Sequence, residues 1–200
     1  MTHESLRETA AAIFEKMGET HEDAAIAAGV LVATDLRGVE SHGVSNMLKT
    51  YLDRYADGTQ NPRPEWRIVR ERAATANIDA DRGLGVLVAP KAMEIAIAKA
   101  RDTGVGVVTV TNCGHLGMAA YHAMLALPHD MVGVCMTAAG ASVVPTFGRE
   151  PRLGTNPIAV AAPAGREPAF VFDMATSVVP INKIRNAHRL GVPLPAGHIA

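Results

Sequence analysis

The hydrophobic pattern of this chain changes period at a proline-containing segment, Asn61-Pro62-Arg63-Pro64. Before this segment, three apolar stripes recur at the three- and four-residue spacing of amphipathic helices, and a glycine follows each of them. After it, short β-branched runs alternate with helical stretches, which is typical of a mixed α/β domain. The pattern therefore predicts a helical segment over residues 1–65 and an α/β core over residues 66–200.

The α/β core is predicted to form one sheet with helices packed on it. Two of its apolar runs, 105–110 and 131–137, are typical of strands that are covered on both faces. Pro90 is expected in the first turn of its helix, and Pro128 at the end of the next helix. The predicted strands are 66–69, 73–78, 105–110, 131–137, 157–162 and 169–172, and the predicted helices are 86–100, 116–127 and 179–190.

The composition excludes several classes of protein. Of the 200 residues, 48% are hydrophobic and 20% are charged, which predicts a globular fold. A formal net charge of −1 without a basic block argues against a nucleic-acid partner. No apolar run approaches the length of about 18 residues that a membrane span needs. Cys113 and Cys135 are too few for a disulfide framework, so we expect reduced thiols and a cytoplasmic protein.

Two histidines stand in glycine-flanked segments at the junctions of predicted elements. His42 lies in Ser41-His42-Gly43 between two helices, and His115 follows a strongly apolar run. An imidazole with a pKa of about 6.5 can hold or release a proton near neutrality, so each is a candidate for acid–base catalysis. The alternative is that each caps a helix or packs in the core. Together with His122 they could form a metal site, but no carboxylate at ligand spacing supports one, and we expect no metal.

A carboxylate, Asp173, follows the last apolar run of the predicted sheet. α/β proteins hold ligands beyond the carboxyl ends of their strands. An aspartate in this place equally suits the N-cap of a following helix. No Gly-x-Gly-x-x-Gly follows a strand and opens a helix, so the sequence does not predict a Rossmann dinucleotide loop.

Four segments occur together in an informative order. They are Arg37-Gly38-Val39-Glu40-Ser41-His42-Gly43-Val44, Asn112-x-x-His115-x-Gly117, Leu153-Gly154-Thr155-Asn156-Pro157 and Phe172-Asp173-Met174-Ala175-Thr176-Ser177. In order and spacing they resemble the malate/L-lactate dehydrogenase family of non-Rossmann nicotinamide enzymes, which includes ureidoglycolate and sulfolactate dehydrogenases. The resemblance implies an N-terminal helical segment that carries the catalytic histidine and a mixed-sheet, non-Rossmann NAD(P)-binding domain. Family members usually continue well beyond residue 200 and form homodimers, so it also implies a C-terminally truncated fragment that dimerises.

The resemblance implies hydride transfer between NAD or NADP and C2 of a small 2-hydroxy or 2-oxo acid. His42 would donate a proton to the ketone oxygen, or accept it in the oxidative direction, and Ser41 would hold the substrate beside it. His115 would bind or polarise the substrate, and Asp173 would orient His42. The residues implied to line the cofactor site are Phe172, Asp173, Met174, Ala175, Thr176 and Ser177.

One departure from the family pattern bears on the substrate. Many members carry an arginine four residues after the catalytic histidine, where it can pair with the substrate carboxylate, and this chain has Asn46 there. Lys49 or Arg54 could replace that charge, and Thr155 is a further expected substrate contact. The identity of the acid and the choice between NAD and NADP stay open. Two alternatives remain: reduction of a cyclic imine, as in some relatives, and an inactive fragment that only folds or associates.

Overall fold

The computed structural model describes residues 2–195, with helices before the proline connector and a mixed α/β region after it. The N-terminal segment holds α1 (His3–Lys16), α2 (His21–Leu36), a 3₁₀ turn (Glu40–His42) and α3 (Val44–Ala56). The remainder holds β1 (Arg67–Glu71), β2 (Thr75–Asp79), α4 (Gly85–Thr103), β3 (Val107–Thr111), α5 (Ala119–Met124), β4 (Gly133–Met136), β5 (Ile158–Ala162), β6 (Phe170–Met174) and α6 (Ile181–Leu190). The predicted α/β class is therefore confirmed.

Side-chain capping and an apolar interface account for the N-terminal helices. The hydroxyl of Thr20 accepts a hydrogen bond from the N–H of Asp23 at 3.2 Å and so caps the start of α2. The three helices pack on one another around the fully buried side chains of Phe14, Leu31 and Tyr51. Burying a large apolar side chain stabilises a fold by about 1.5–3 kcal/mol, so this interface holds α3, and the turn before it, firmly in place.

The strands form two three-stranded sheets, β1-β2-β3 and β4-β5-β6, whereas the sequence predicted a single sheet. In the first sheet α4 connects the parallel strands β2 and β3, and β1 lies antiparallel to β2. The second sheet is an antiparallel meander. Alternating strand and helix patterns do not say which strands hydrogen-bond to each other, and within residues 2–195 β3 and β4 do not pair.

The second sheet is covered on one face only. α5 packs against the face that holds Ala159 and Ala161. The opposite face is exposed and apolar; it includes Val134, Met136, Ile158, Phe172 and Met174. The prediction that 131–137 and 105–110 are covered on both faces is therefore wrong, since Val107 is also exposed. The described helices cover one side of these strands, and an apolar run alone does not report how many sides are covered.

Three predictions about the helices are also wrong. α5 begins at Ala119 rather than at residue 116, because Gly117 adopts a left-handed backbone conformation (φ +75°) that cannot belong to a helix. Pro128 lies in a separate 3₁₀ turn after α5. α4 begins at Gly85, so Pro90 lies in the second helical turn instead of the first.

Candidate active site

A tight turn presents His42 at the start of α3. The carboxylate of Asp35, near the end of α2, accepts a hydrogen bond from the N–H of Val44 at 2.9 Å and so caps α3. A Cβ at Gly43 would overlap this carboxylate, so any other residue at position 43 would displace Asp35 from the N–H of Val44. The interaction fixes the backbone on both sides of His42.

The loop after β3 presents His115. The carbonyl of His115 accepts a hydrogen bond from the N–H of Val86 at 3.2 Å, and the N–H of Gly114 donates to the carbonyl of Gly83 at 2.8 Å. These two bonds join the loop to the start of α4. Added to the left-handed Gly117, they place the His115 ring next to the N-terminal helices.

The structure brings the two histidines together. Their rings stack with centroids 5.4 Å apart and planes inclined by 18°. The hydroxyl of Ser41 lies 2.7 Å from Nδ1 of His42, and the hydroxyl of Tyr51 lies 2.7 Å from Nδ1 of His115. Sequence reasoning missed Tyr51, because its position in the apolar stripe of α3 marked it only as a core residue.

Asp173, in β6, acts on this pair of histidines through its charge on His42. It lies within β6 rather than after it, on the face that α5 covers. Its carboxylate accepts a hydrogen bond from the N–H of Ala120 at 2.7 Å, so it caps the preceding helix α5 and not the helix that follows. The same negative charge acts on His42, where it favours the protonated ring.

Burial dominates the ionisation of both histidines. It lowers the pKa of His42, although the charge of Asp173 opposes this effect. Burial, followed by the charges of His42 and Arg54, lowers the pKa of His115 to about 3. Both rings are therefore predominantly neutral near pH 7, His115 far more firmly than His42.

Three further predicted residues have partners of their own. The side-chain amide of Asn46 donates to the carbonyl of Glu40 at 2.6 Å. The ammonium of Lys49 pairs with Asp53 at 2.7 Å on the exposed face of α3. The carbonyl of Thr155 accepts hydrogen bonds from the N–H and the hydroxyl of Thr176, at 2.8 and 3.0 Å, which joins two of the predicted segments.

The predicted cofactor segment 172–177 does not present one face. Phe172 and Met174 lie on the open side of the sheet, opposite Asp173. Beyond the strand, Thr176 is held by Thr155, and the hydroxyl of Ser177 donates to the carbonyl of Val179 at 3.3 Å. Ala175 lies between them at the end of β6.

Two further residues lie beside the histidine turn or its partner ring: Asn182, which the sequence did not single out, and Arg54, which it offered as a replacement for the missing arginine. The side-chain amide of Asn182, in α6, donates to the carbonyl of Ser41 at 2.8 Å. Arg54, one helical turn beyond Tyr51, is close enough to lower the pKa of His115 by its charge. No short motif surrounds Asn182, so the sequence alone gives little signal for it, whereas Arg54 is a cation on the α3 face that carries Tyr51.

Other candidate sites lie apart from the histidine pair. Within residues 2–195 no three histidine, cysteine or acidic side chains come together as metal ligands. His122 instead donates from Nε2 to the carbonyl of Leu116 at 2.8 Å. A cavity of about 430 Å³ between α2, α4 and α5 is lined by Ile26, Trp66 and Tyr121, among others, and by none of the predicted site residues. Across the described range, no helix combines the length and the apolar character that crossing a membrane requires.

Comparisons with known proteins agree on one family. A model of the malate/L-lactate dehydrogenase family matches residues 1–200. Malate dehydrogenase of Pyrococcus horikoshii is 48% identical over 185 residues, which are 92% of this chain and 51% of that protein. The chain spans about half the length of the curated relatives that it matches.

Solved structures show the same fold. Malate dehydrogenase from Entamoeba histolytica matches with a TM-score of 0.94 at 35% identity, over 98% of this chain and 54% of that one. Delta1-piperideine-2-carboxylate reductase from Pseudomonas syringae matches with a TM-score of 0.91 at 28% identity, over 98% of this chain and 59% of that one. Because the family model extends over the whole sequence, the chain belongs to the malate/L-lactate dehydrogenase family.

Proposed function

We propose that this chain carries the proton-transfer site of an NAD(P)-dependent oxidoreductase that interconverts a small 2-hydroxy acid and its 2-oxo acid. The observation that carries the proposal is the stacked pair of His42 and His115, with the charge of Asp173 acting on His42. The relatives whose names give an activity on malate support the 2-hydroxy acid class.

His42 is the proposed proton donor and acceptor. Burial favours its neutral form, which can accept the hydroxyl proton during oxidation, and Asp173 stabilises the protonated form that results. In the reductive direction the protonated ring donates to the ketone oxygen. The hydroxyl of Ser41, 2.7 Å from Nδ1, orients the ring and leaves Nε2 for the substrate.

His115 is proposed to polarise the substrate rather than to transfer a proton. With a pKa lowered to about 3, its ring is a neutral hydrogen-bond donor at any pH where the enzyme would work. A neutral imidazole can stabilise negative charge that develops on an oxygen without competing with His42 for the proton. Its stacking against His42 places the two functions next to each other.

Arg54 is the proposed partner of the substrate carboxylate. Lys49 is already paired with Asp53, and Asn46 carries no charge. Within residues 2–195 the guanidinium of Arg54 forms no ion pair, and its charge acts on both Tyr51 and His115. A planar guanidinium can bind a carboxylate through two parallel hydrogen bonds. Thr155 remains a proposed substrate contact through its side chain.

The segment 172–177 suits one end of a nicotinamide dinucleotide. It contains no cation, so it does not suit the pyrophosphate, whereas its apolar and hydroxyl side chains suit the flat nicotinamide ring and its amide. We propose that Ala175, Thr176 and Ser177 hold this ring at the end of β6, with Phe172, Asp173 and Met174 behind them. When bound, the nicotinamide supplies or takes up the hydride. The residues of the chain position the acid and donate or accept its proton.

The test uses the 200-residue chain with NADH and NADPH. We expect cofactor oxidation with at least one small 2-oxo acid, and a saturable change in the emission of Trp66 during cofactor titration. Turnover should fall by about 10²–10⁴-fold in His42→Ala. If no acid is reduced and Trp66 emission does not change, the proposal is wrong and the chain is an inactive fragment of its family.

A second candidate is reduction of a cyclic imine. It is favoured by the structural match to delta1-piperideine-2-carboxylate reductase, with a TM-score of 0.91. A cyclic imino acid assayed beside the 2-oxo acids, with both cofactors, separates the two. Higher kcat/KM for the imine would replace the first proposal with the second.

We also propose that the chain acts as a cytoplasmic homodimer on a small-molecule substrate. The exposed apolar face of β4–β6 is consistent with further burial in an assembly. Sedimentation analysis of the purified chain tests this: a monomer at micromolar concentration would contradict the dimer.

A further inference from the structure

Tyr51 and His115 form a hydrogen bond that takes no part in the proposed proton transfer. The Tyr51 hydroxyl lies 2.7 Å from Nδ1 of His115 and joins α3 to the loop after β3. The Tyr51 side chain is fully buried and packs in the core of the N-terminal helices. Because the phenol is held on all sides, it can hold the imidazole that it contacts.

Nδ1 of His115 has a second partner that determines where the ring carries its hydrogen. The N–H of Gly117 lies 3.2 Å from the same atom. A backbone amide can only donate, so Nδ1 accepts, and the hydrogen of the neutral ring is on Nε2. Burial raises the pKa of Tyr51, so its hydroxyl stays protonated and donates to Nδ1 as well.

The backbone of the His115 loop is fixed independently of these contacts. The carbonyl of His115 accepts a hydrogen bond from Val86. The rotation of an imidazole about its last side-chain bond is nevertheless soft, because that torsion has broad minima. The two hydrogen bonds to Nδ1, and the stacking against His42, are therefore what selects one ring orientation.

We propose that Tyr51 is a positioning residue: its hydroxyl holds the His115 imidazole in the orientation that presents Nε2–H to the substrate oxygen which His42 protonates. The identity of that oxygen rests on the proposed function. The orientation of His115 is a property of the chain alone, so it can be tested without substrate.

The experiment compares wild type with Tyr51→Phe, which removes the hydroxyl and keeps the ring. The ¹⁵N resonances of the His115 imidazole report the protonation and hydrogen bonding of each nitrogen. In wild type at pH 7 we expect a protonated Nε2 and a hydrogen-bonded, unprotonated Nδ1. In Tyr51→Phe the Nδ1 resonance should move toward that of an unbonded nitrogen. In the active enzyme kcat should fall about tenfold, the loss of roughly one hydrogen bond, with a smaller change in KM.

Tyr121→Phe is the matched control. Its ring packs edge-on against His122, and in the described part of the chain its hydroxyl makes no hydrogen bond, so the His115 resonances should not move. An unchanged Nδ1 resonance or an unchanged kcat in Tyr51→Phe would overturn the inference. If that variant does not fold, the wild-type spectrum decides: a protonated or unbonded Nδ1 overturns it, and a hydrogen-bonded acceptor supports it. Lack of dehydrogenase activity in wild type contradicts only the proposed function.

Discussion

The side-chain amide of Asn182 donates a hydrogen bond to the backbone carbonyl of Ser41 at 2.8 Å, although 141 positions separate the two residues. This contact joins α6 to the turn that carries His42. The candidate site therefore depends on α6, near the end of the described chain, as well as on the N-terminal helices and the His115 loop.

Replacing Asn182 with alanine should loosen this turn. The carbonyl of Ser41 loses its donor, and we expect faster hydrogen exchange at the amides of residues 42–44 and a severalfold lower turnover. The free energy of unfolding should fall by about 1 kcal/mol, the typical loss for one hydrogen bond. Lys183→Ala, on the exposed side of the same helix, is the control. Equal exchange rates in the two variants would contradict the role of Asn182.

His42→Ala should remove most of the catalysis. General acid–base catalysis contributes about 10²–10⁴-fold, so kcat should fall by that factor while the affinity for the cofactor changes little. His21→Ala is the matched control, because His21 is exposed and lies at the opposite end of α2 from the turn that carries His42. Steady-state kinetics with both variants settle the matter. A His42→Ala enzyme with wild-type turnover at any pH would exclude the residue as proton donor.

Asp173→Asn should shift the pH dependence of the rates of both oxidation and reduction. The carboxylate raises the pKa of His42, so its removal lowers that pKa further. Oxidation needs neutral His42, and its acid limb should therefore move to lower pH. Reduction needs protonated His42, and its rate at pH 7 should fall. The asparagine oxygen can still accept from Ala120, which preserves the start of α5. An acid limb that moves to higher pH would contradict the assignment.

Replacing Arg54 and replacing Lys49 should have different effects on the binding of the substrate carboxylate. Arg54→Met should raise KM for the acid by about one to two orders of magnitude, since a charge-assisted hydrogen bond is lost. Lys49→Met should leave KM nearly unchanged, because Lys49 is paired with Asp53. Initial rates over a range of acid concentrations compare the two. If Lys49→Met raises KM for the acid more than Arg54→Met does, the partner of the substrate carboxylate is Lys49 and not Arg54.

Two buried histidines should make the fold sensitive to acid. The pKa of His115 is lowered to about 3 and that of His122 to about 4, against about 6.5 in an unfolded chain. Between these values the unfolded state binds more protons, so the free energy of unfolding should fall as the pH drops from about 6.5 toward 4. Glu19, with a pKa raised to about 7, acts in the opposite sense over this range.

Urea unfolding at a series of pH values measures this dependence. His122→Gln should reduce the loss of stability in acid, because one of the two histidines no longer titrates. Glu19→Gln should make the loss steeper by removing the opposing group. A free energy of unfolding that stays constant between pH 7 and pH 5 in both variants would show that the histidines do not control it.

Local sequence signals were sufficient for most of the elements and for part of the site. Thr20 and Gly18 mark the boundary between α1 and α2, and glycine framing identified both histidines. Hydrophobic periodicity did not predict which faces of the strands are covered. The apolar run at 131–137 does not reveal that one face of β4 is exposed. Periodicity reports that a side chain is buried but not what it touches, so it does not reveal that the buried Tyr51 contacts His115 through its hydroxyl.

The sequence by itself determined the order of helices and strands, the connector between the two parts and the residue types available for proton transfer, because capping, periodicity and turn chemistry act over a few neighbouring residues. Only the tertiary structure decided that His42 and His115 stack, that Asp173 caps α5 while its charge acts on His42, and that Asn182 holds the carbonyl of Ser41. Those relationships join residues far apart in the chain, and the packing of whole elements fixes their distances.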